Sequence, residues 1–85
     1  MNSTYFALMS EFGTATVALA DICEKYFGLN EAQAQRRARN HQLPLPTFRG
    51  AKSQKAPVLV NISDLALHLD KMRSDARDEF VAVNS

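Results

Sequence analysis

One cysteine, three glycines and three prolines occur in the 85 residues, and each scarcity excludes something. The single thiol, Cys23, can form no internal disulfide and no multi-cysteine zinc cage. No apolar stretch approaches the roughly 18 residues that a transmembrane helix requires. No basic residue precedes the first apolar run in Met1-Asn2-Ser3-Thr4-Tyr5, so a secretory signal is not expected. Neither a repeat nor a low-complexity tract is visible. These absences predict a small, cytoplasmic domain that needs no metal, no cofactor and no membrane.

Acidic residues are missing from one place in particular. Between Glu31 and Asp64 there is none, while Arg36, Arg37, Arg39, Arg49, Lys52 and Lys55 all fall there. The remainder holds Lys25, Lys71, Arg73 and Arg77 against all nine acids, so a net charge of +1 conceals a basic centre between acidic ends. Such a stripe matters more for polyanion binding than the total does. With 46% hydrophobic and 22% charged residues the chain is ordinarily globular. Residues 1–80 read as one domain and residues 81–85 as a frayed tail.

Tyr5, Leu8, Met9 and Phe12 sit at helical spacing and predict a helix over 4–12, closed by Gly13. The β-branched and small residues 14–18 suit a short extended lead-in. Leu19, Ile22, Cys23, Tyr26 and Phe27 form a full amphipathic stripe, and Gly28 follows where a helix end favours a left-handed residue. Asn30 is a good N-cap, and Gln33 three residues on completes a capping box for a helix over 31–41. Leu43-Pro44-Leu45-Pro46 ends it, because residues before proline leave the helical region. Two helices joined by a short glycine-containing turn are a helix-turn-helix.

The period then changes to two. Pro46–Arg49 and Pro57–Ile62 read as strands, with 50–56 as a basic hairpin tip. Ser63 is the expected cap of a last helix, with Ile62 and Leu67 as a hydrophobic staple. Leu65, Leu69, Met72 and Ala76 form its stripe. The expected fold is mainly α with a small β-hairpin: a winged helix-turn-helix.

If Ala34 and Ala38 face inward, 100° per residue turns Ala32, Gln33, Arg36, Arg39 and Asn40 outward, with Gln35 and Arg37 on the flanks. Arg reads guanine edges and Gln or Asn reads adenine edges in the major groove. Arg49, Lys52, Gln54 and Lys55 at the tip suit phosphates or the adjacent minor groove. The candidate DNA-binding set is therefore Gln33, Arg36, Arg37, Arg39, Asn40, Arg49, Lys52, Gln54 and Lys55.

Other chemistries find little support. Gly50-Ala51-Lys52-Ser53 lacks the leading glycine and spacer of a phosphate loop and precedes a strand. Cys23 lies on an apolar stripe and reads as core. His41 and His68 have no convincing ligand partners; His41 suits the C-terminal end of a helix or a phosphate. Asp64, Asp70, Asp75, Asp78 and Glu79 lie along one helix and read as a solvated face. No catalytic constellation emerges, and an enzyme is not expected.

The run from Val17 to Gly28, followed by Leu43-Pro44-Leu45-Pro46 and Ser53-Gln54-Lys55, with Phe6-Ala7-Leu8-Met9 at the start, resembles the pyocin activator family of phage-derived transcription regulators. More broadly it is similar to phage excisionase and MerR-like winged-helix domains. The resemblance covers about residues 4–75. It implies a bacterial DNA-binding protein, nucleoid-associated when bound, that activates phage or prophage genes. Carried over by position, the recognition helix falls on Asn30 to His41 and the wing on Arg49 to Lys55. Duplex DNA is the implied partner, with RNA polymerase, a recombinase or further copies of the chain beside it. The alternatives are an excisionase-like recombination directionality factor and a small protein-interaction adaptor or inhibitor.

Overall fold

The computed structural model describes residues 3–85; Met1 and Asn2, which open the expected domain, lie outside the described residues. Four helices and three short strands follow the order α1 (Ser3–Phe12), β1 (Thr16–Ala18), α2 (Leu19–Phe27), α3 (Glu31–Arg39), β2 (Phe48–Arg49), β3 (Val58–Asn61) and α4 (Ile62–Asn84). The fold is mostly helical with a small antiparallel sheet, as expected for a winged helix.

The two central helices carry their own punctuation. Leu19, Ile22 and Cys23 bury one face of α2. Gly28 ends it at φ 66°, and the backbone N–H groups of Gly28 and Leu29 donate to the Glu24 and Cys23 carbonyls at 3.1 and 3.2 Å. The buried Leu29 adds the apolar contact usual for this termination. One residue later Asn30 caps α3. Its Oδ1 accepts from Gln33 N at 2.8 Å, and Gln33 Oε1 accepts from Asn30 N at 3.1 Å. α3 stops at Arg39, two residues before the expected His41, because His41 takes a left-handed conformation at φ 54°.

The sheet holds one strand more than a hairpin. Its order is β1-β3-β2: Val17 pairs with Val60 on one side, and Phe48 with Leu59 on the other. The expected lead-in at 14–18 is thus an edge strand. Ile62 N–H donates to the Ala15 carbonyl at 2.9 Å and prolongs the pairing into the start of α4. Val58 and Val60 point into the core with Val17, as the period-two reading requires.

The centre of the core is Leu19, Ile22, Val60, Ile62 and Leu65, each fully buried. Burying side chains of this size contributes about 1.5–3 kcal/mol apiece. Cys23 is buried among them, a core residue as expected. Leu45 between the two prolines is also buried and fastens the link from α3 to β2. Leu8 anchors α1, with Tyr5, Met9 and Phe12 packed beside it.

α4 departs from expectation in four ways. Asn61, not Ser63, is its N-cap, accepting from Ser63 N at 3.0 Å. The staple between Ile62 and Leu67 does not form, since Ile62 is buried while Leu67 is 64% exposed. The stripe reaches the core only as far as Leu69; Met72 and Ala76 lie in solvent. The helix then runs on to Asn84, so the expected frayed tail at 81–85 is helical through that residue. At 1.5 Å per residue α4 is roughly 34 Å long, in a molecule whose long axis measures 52 Å.

Candidate nucleic-acid interface

α3 presents its outer face because its inner face is made only of alanines. Ala34 and Ala38 are buried, and the small side chains let α3 lie close against α2. Ala32, Gln33, Arg36, Arg37, Arg39 and Asn40 are exposed, and Gln35 is half-buried. Arg36, Arg37 and Arg39 fall in the last turn, where cations also suit the negative end of the helix dipole. This placement matches the geometry expected from the alanine spacing.

Two of the nine candidate residues are already engaged. The Gln33 side chain is held in the capping box through Oε1, so a grip on adenine through both amide atoms competes with the cap. Arg49 folds back on the wing: Nη1 donates to the carbonyls of Ser53, Gln54 and Ala56 at 3.3, 2.7 and 3.2 Å. Its neighbours Lys52, Gln54 and Lys55 are exposed. Asn40 closes α3, its backbone N–H donating to the Arg36 carbonyl at 3.2 Å.

Two open hollows join α3 to the wing. The larger, about 320 Å³, is walled by Glu31 and Gln35 of α3, by Arg49, Gln54 and Lys55, and by Ala18 and Ala20 at the start of α2. The smaller, about 160 Å³, lies at the other end of α3 between Arg39, His41, Phe48 and Arg49. Arg49 lines both. The structure thus brings Arg39, Arg49, Gln54 and Lys55 to one surface with α3, while Arg36, Arg37 and Lys52 line neither hollow.

Two features of this surface escape a reading of charges alone. Ala18 is the N-cap of α2 and makes no side-chain cap bond, so the positive end of α2 opens beside Lys55. The signal was present, since no Ser, Thr, Asn or Asp occupies that position. Phe48 is 44% exposed among Arg39, His41 and Arg49. Its exposure follows from the register, which sets it on the outer face of the sheet opposite Leu59.

Elsewhere several charges serve the scaffold. Lys25 meets Glu11 at 3.2 Å and ties α2 to α1. Its hydrogen bond to the Glu11 carboxylate, followed by that with Tyr26, holds the Lys25 ammonium above the usual lysine value. Asp70 accepts from Thr4 at 2.6 Å and from Arg73 at 3.1 Å, and Lys71 pairs with Asp75 at 3.0 Å. His68 lies against the Phe27 ring at 5.5 Å. Among the described residues no group of three or more His, Cys, Asp or Glu side chains could hold a metal ion. Nor is any helix there long and apolar enough to cross a membrane.

The family model described as pyocin activator protein PrtN matches residues 4–76, which takes in α1, the helix pair, the wing and more than half of α4. No curated protein and no solved structure matches the chain.

Proposed function

Because the chain belongs to the pyocin activator family, a family of regulators rather than enzymes, we propose that it binds duplex DNA sequence-specifically and activates phage or prophage genes. The observation that carries this reading is that the wing, through Arg49, Gln54 and Lys55, meets the Glu31–Gln35–Arg39 edge of α3, next to the exposed arginines of the same helix. α3 enters the major groove, where Arg36, Arg37, Arg39 and Asn40 meet base edges and phosphates. Lys52, Gln54 and Lys55 lie over the neighbouring backbone. Contacts of the second kind set register without reading sequence.

The six bases between Glu31 and Asp64 limit what one domain can achieve. With Arg49 turned onto its own loop, the other five neutralise about five phosphates, so log affinity falls against log salt with a slope of about −4.5. Binding at physiological salt therefore gains from several copies on adjacent half-sites.

The test is an electrophoretic shift on fragments of the neighbouring genome at two salt concentrations with competitor DNA. One fragment shifting selectively, and less so at higher salt, supports the reading. Its footprint then separates an activator over a promoter from a recombination directionality factor over an attachment site. No shift at low salt overturns DNA binding and makes the basic face a protein-docking surface.

A further inference from the structure

Between Arg49 and Val58, the last pair of the β2–β3 ladder, the chain runs through residues 50–57 without strand pairing. Hairpin loops are usually about 2–5 residues long. This one is longer and opens with the small residues Gly50 and Ala51, a composition that ordinarily leaves a loop slack. Here it is folded. Ala56 N–H donates to the Ser53 carbonyl and Lys55 N–H to Ser53 Oγ, each at 3.1 Å. The Arg49 guanidinium gathers the carbonyls of Ser53, Gln54 and Ala56 from the other side.

We propose that Arg49 is a positioning residue: its guanidinium shapes the wing from within and sets Gln54 and Lys55 over the groove beside Glu31 and Gln35. The proposal rests on the DNA-binding reading for its purpose, though not for its structural content. Hydrogen bonds from a cation are roughly twice as strong as neutral ones. Three carbonyls from the far arm of the loop converge on one nitrogen, so a single side chain replaces the missing ladder. Nη1 spends its hydrogens on those carbonyls and has none left for a phosphate in this conformation. A wing ordered before DNA arrives avoids the ordering cost that a slack loop meets on binding.

The experiment uses the full chain in two stages. Amide hydrogen exchange of the free protein is followed at Lys55 and Ala56 in the wing, with Val60 in β3 reporting that the body stays folded. Affinity for mixed-sequence duplex DNA is then measured at low salt for Arg49→Ala, Lys55→Ala and the double variant. Arg49→Ala should speed exchange at the two wing amides by about tenfold while Val60 stays protected. The loss caused by Lys55→Ala should shrink in the Arg49→Ala background, because Lys55 is then no longer held in place. Arg49→Lys, which keeps three donors on a cation, should recover part of both effects.

Unchanged wing exchange in Arg49→Ala overturns the proposal whatever the DNA result. Faster exchange with strictly additive losses, and a salt slope lower by about one contact, makes Arg49 an independent phosphate ligand and overturns it too. Faster exchange in a protein that binds no DNA in any form upholds the shaping of the loop and refutes the DNA-binding reading instead.

Discussion

Asn30 and Gln33 hydrogen-bond each other's backbone N–H groups across the first turn of α3, at 2.8 and 3.1 Å. Two of the donors that every helix start leaves orphaned are satisfied by this exchange. Asn30→Ala should therefore cost about 1 kcal/mol of stability, read as a lower denaturant midpoint at constant m-value. Gln33→Ala breaks only one half and should cost less.

Arg36 and Arg37 are exposed and make no contact that the fold depends on. Replacing both by Ala should leave thermal stability nearly unchanged. DNA affinity should fall, and the salt slope should shrink by about 2 if both neutralise phosphate. An unaltered affinity in a folded double variant would remove α3 from the interface.

Ala34 has no exposed surface and sits where α3 meets α2. Ala34→Leu inserts a side chain for which there is no room, and overpacking of this kind costs about 1–3 kcal/mol. Because the strain falls on the seat of α3, DNA binding should weaken even at temperatures where circular dichroism still reports a folded helix content.

His41 adopts φ 54° immediately after α3, a region that costs an L-residue about 1 kcal/mol relative to glycine. His41→Gly should thus raise the melting temperature by a few degrees, since about 1 kcal/mol moves a domain of this size by roughly 4–8 °C. A histidine kept in a strained position beside Arg39 and Phe48 fits a surface role. The same variant should lose affinity for DNA while gaining stability.

Gly28→Ala offers a clean measure of backbone strain alone. A Cβ there meets nothing within 4 Å, yet φ is +66°. Chemical denaturation should show a loss of about 1–2 kcal/mol.

Elements whose causes lie within a few residues are legible in the sequence. The stripe of α2, the glycine that stops it and the box that starts α3 all act over one or two turns. So does the alanine spacing that turns the arginines outward. β1 was half legible: Thr16–Ala18 has an extended composition, but nothing local reveals a partner at Leu59–Asn61. That partner also explains the misplaced cap. Asn61 and Ser63 are both suitable residues, and pairing of Asn61 with Thr16 holds the chain extended up to Asn61, so the helix starts from it. The staple failed with it, because the direction of α4 against the sheet leaves Leu67 outside.

Arg49 shows the same limit within the site. Its charge and its place at a hairpin tip marked it as a phosphate ligand, but composition cannot tell whether a guanidinium faces solvent or its own loop. Only the return of residues 53–56 toward β2 presents three carbonyls to it.

From the sequence alone came the helix pair, the wing and the basic centre, since period, capping and charge are properties of neighbours along the chain. Tertiary structure decided the third strand, the true start of α4, how far its stripe is covered and which cations are spent on the scaffold. Each of these depends on which distant backbone groups and surfaces come within hydrogen-bonding or packing distance, and that is set only when the whole chain closes around Leu19, Ile22, Val60, Ile62 and Leu65.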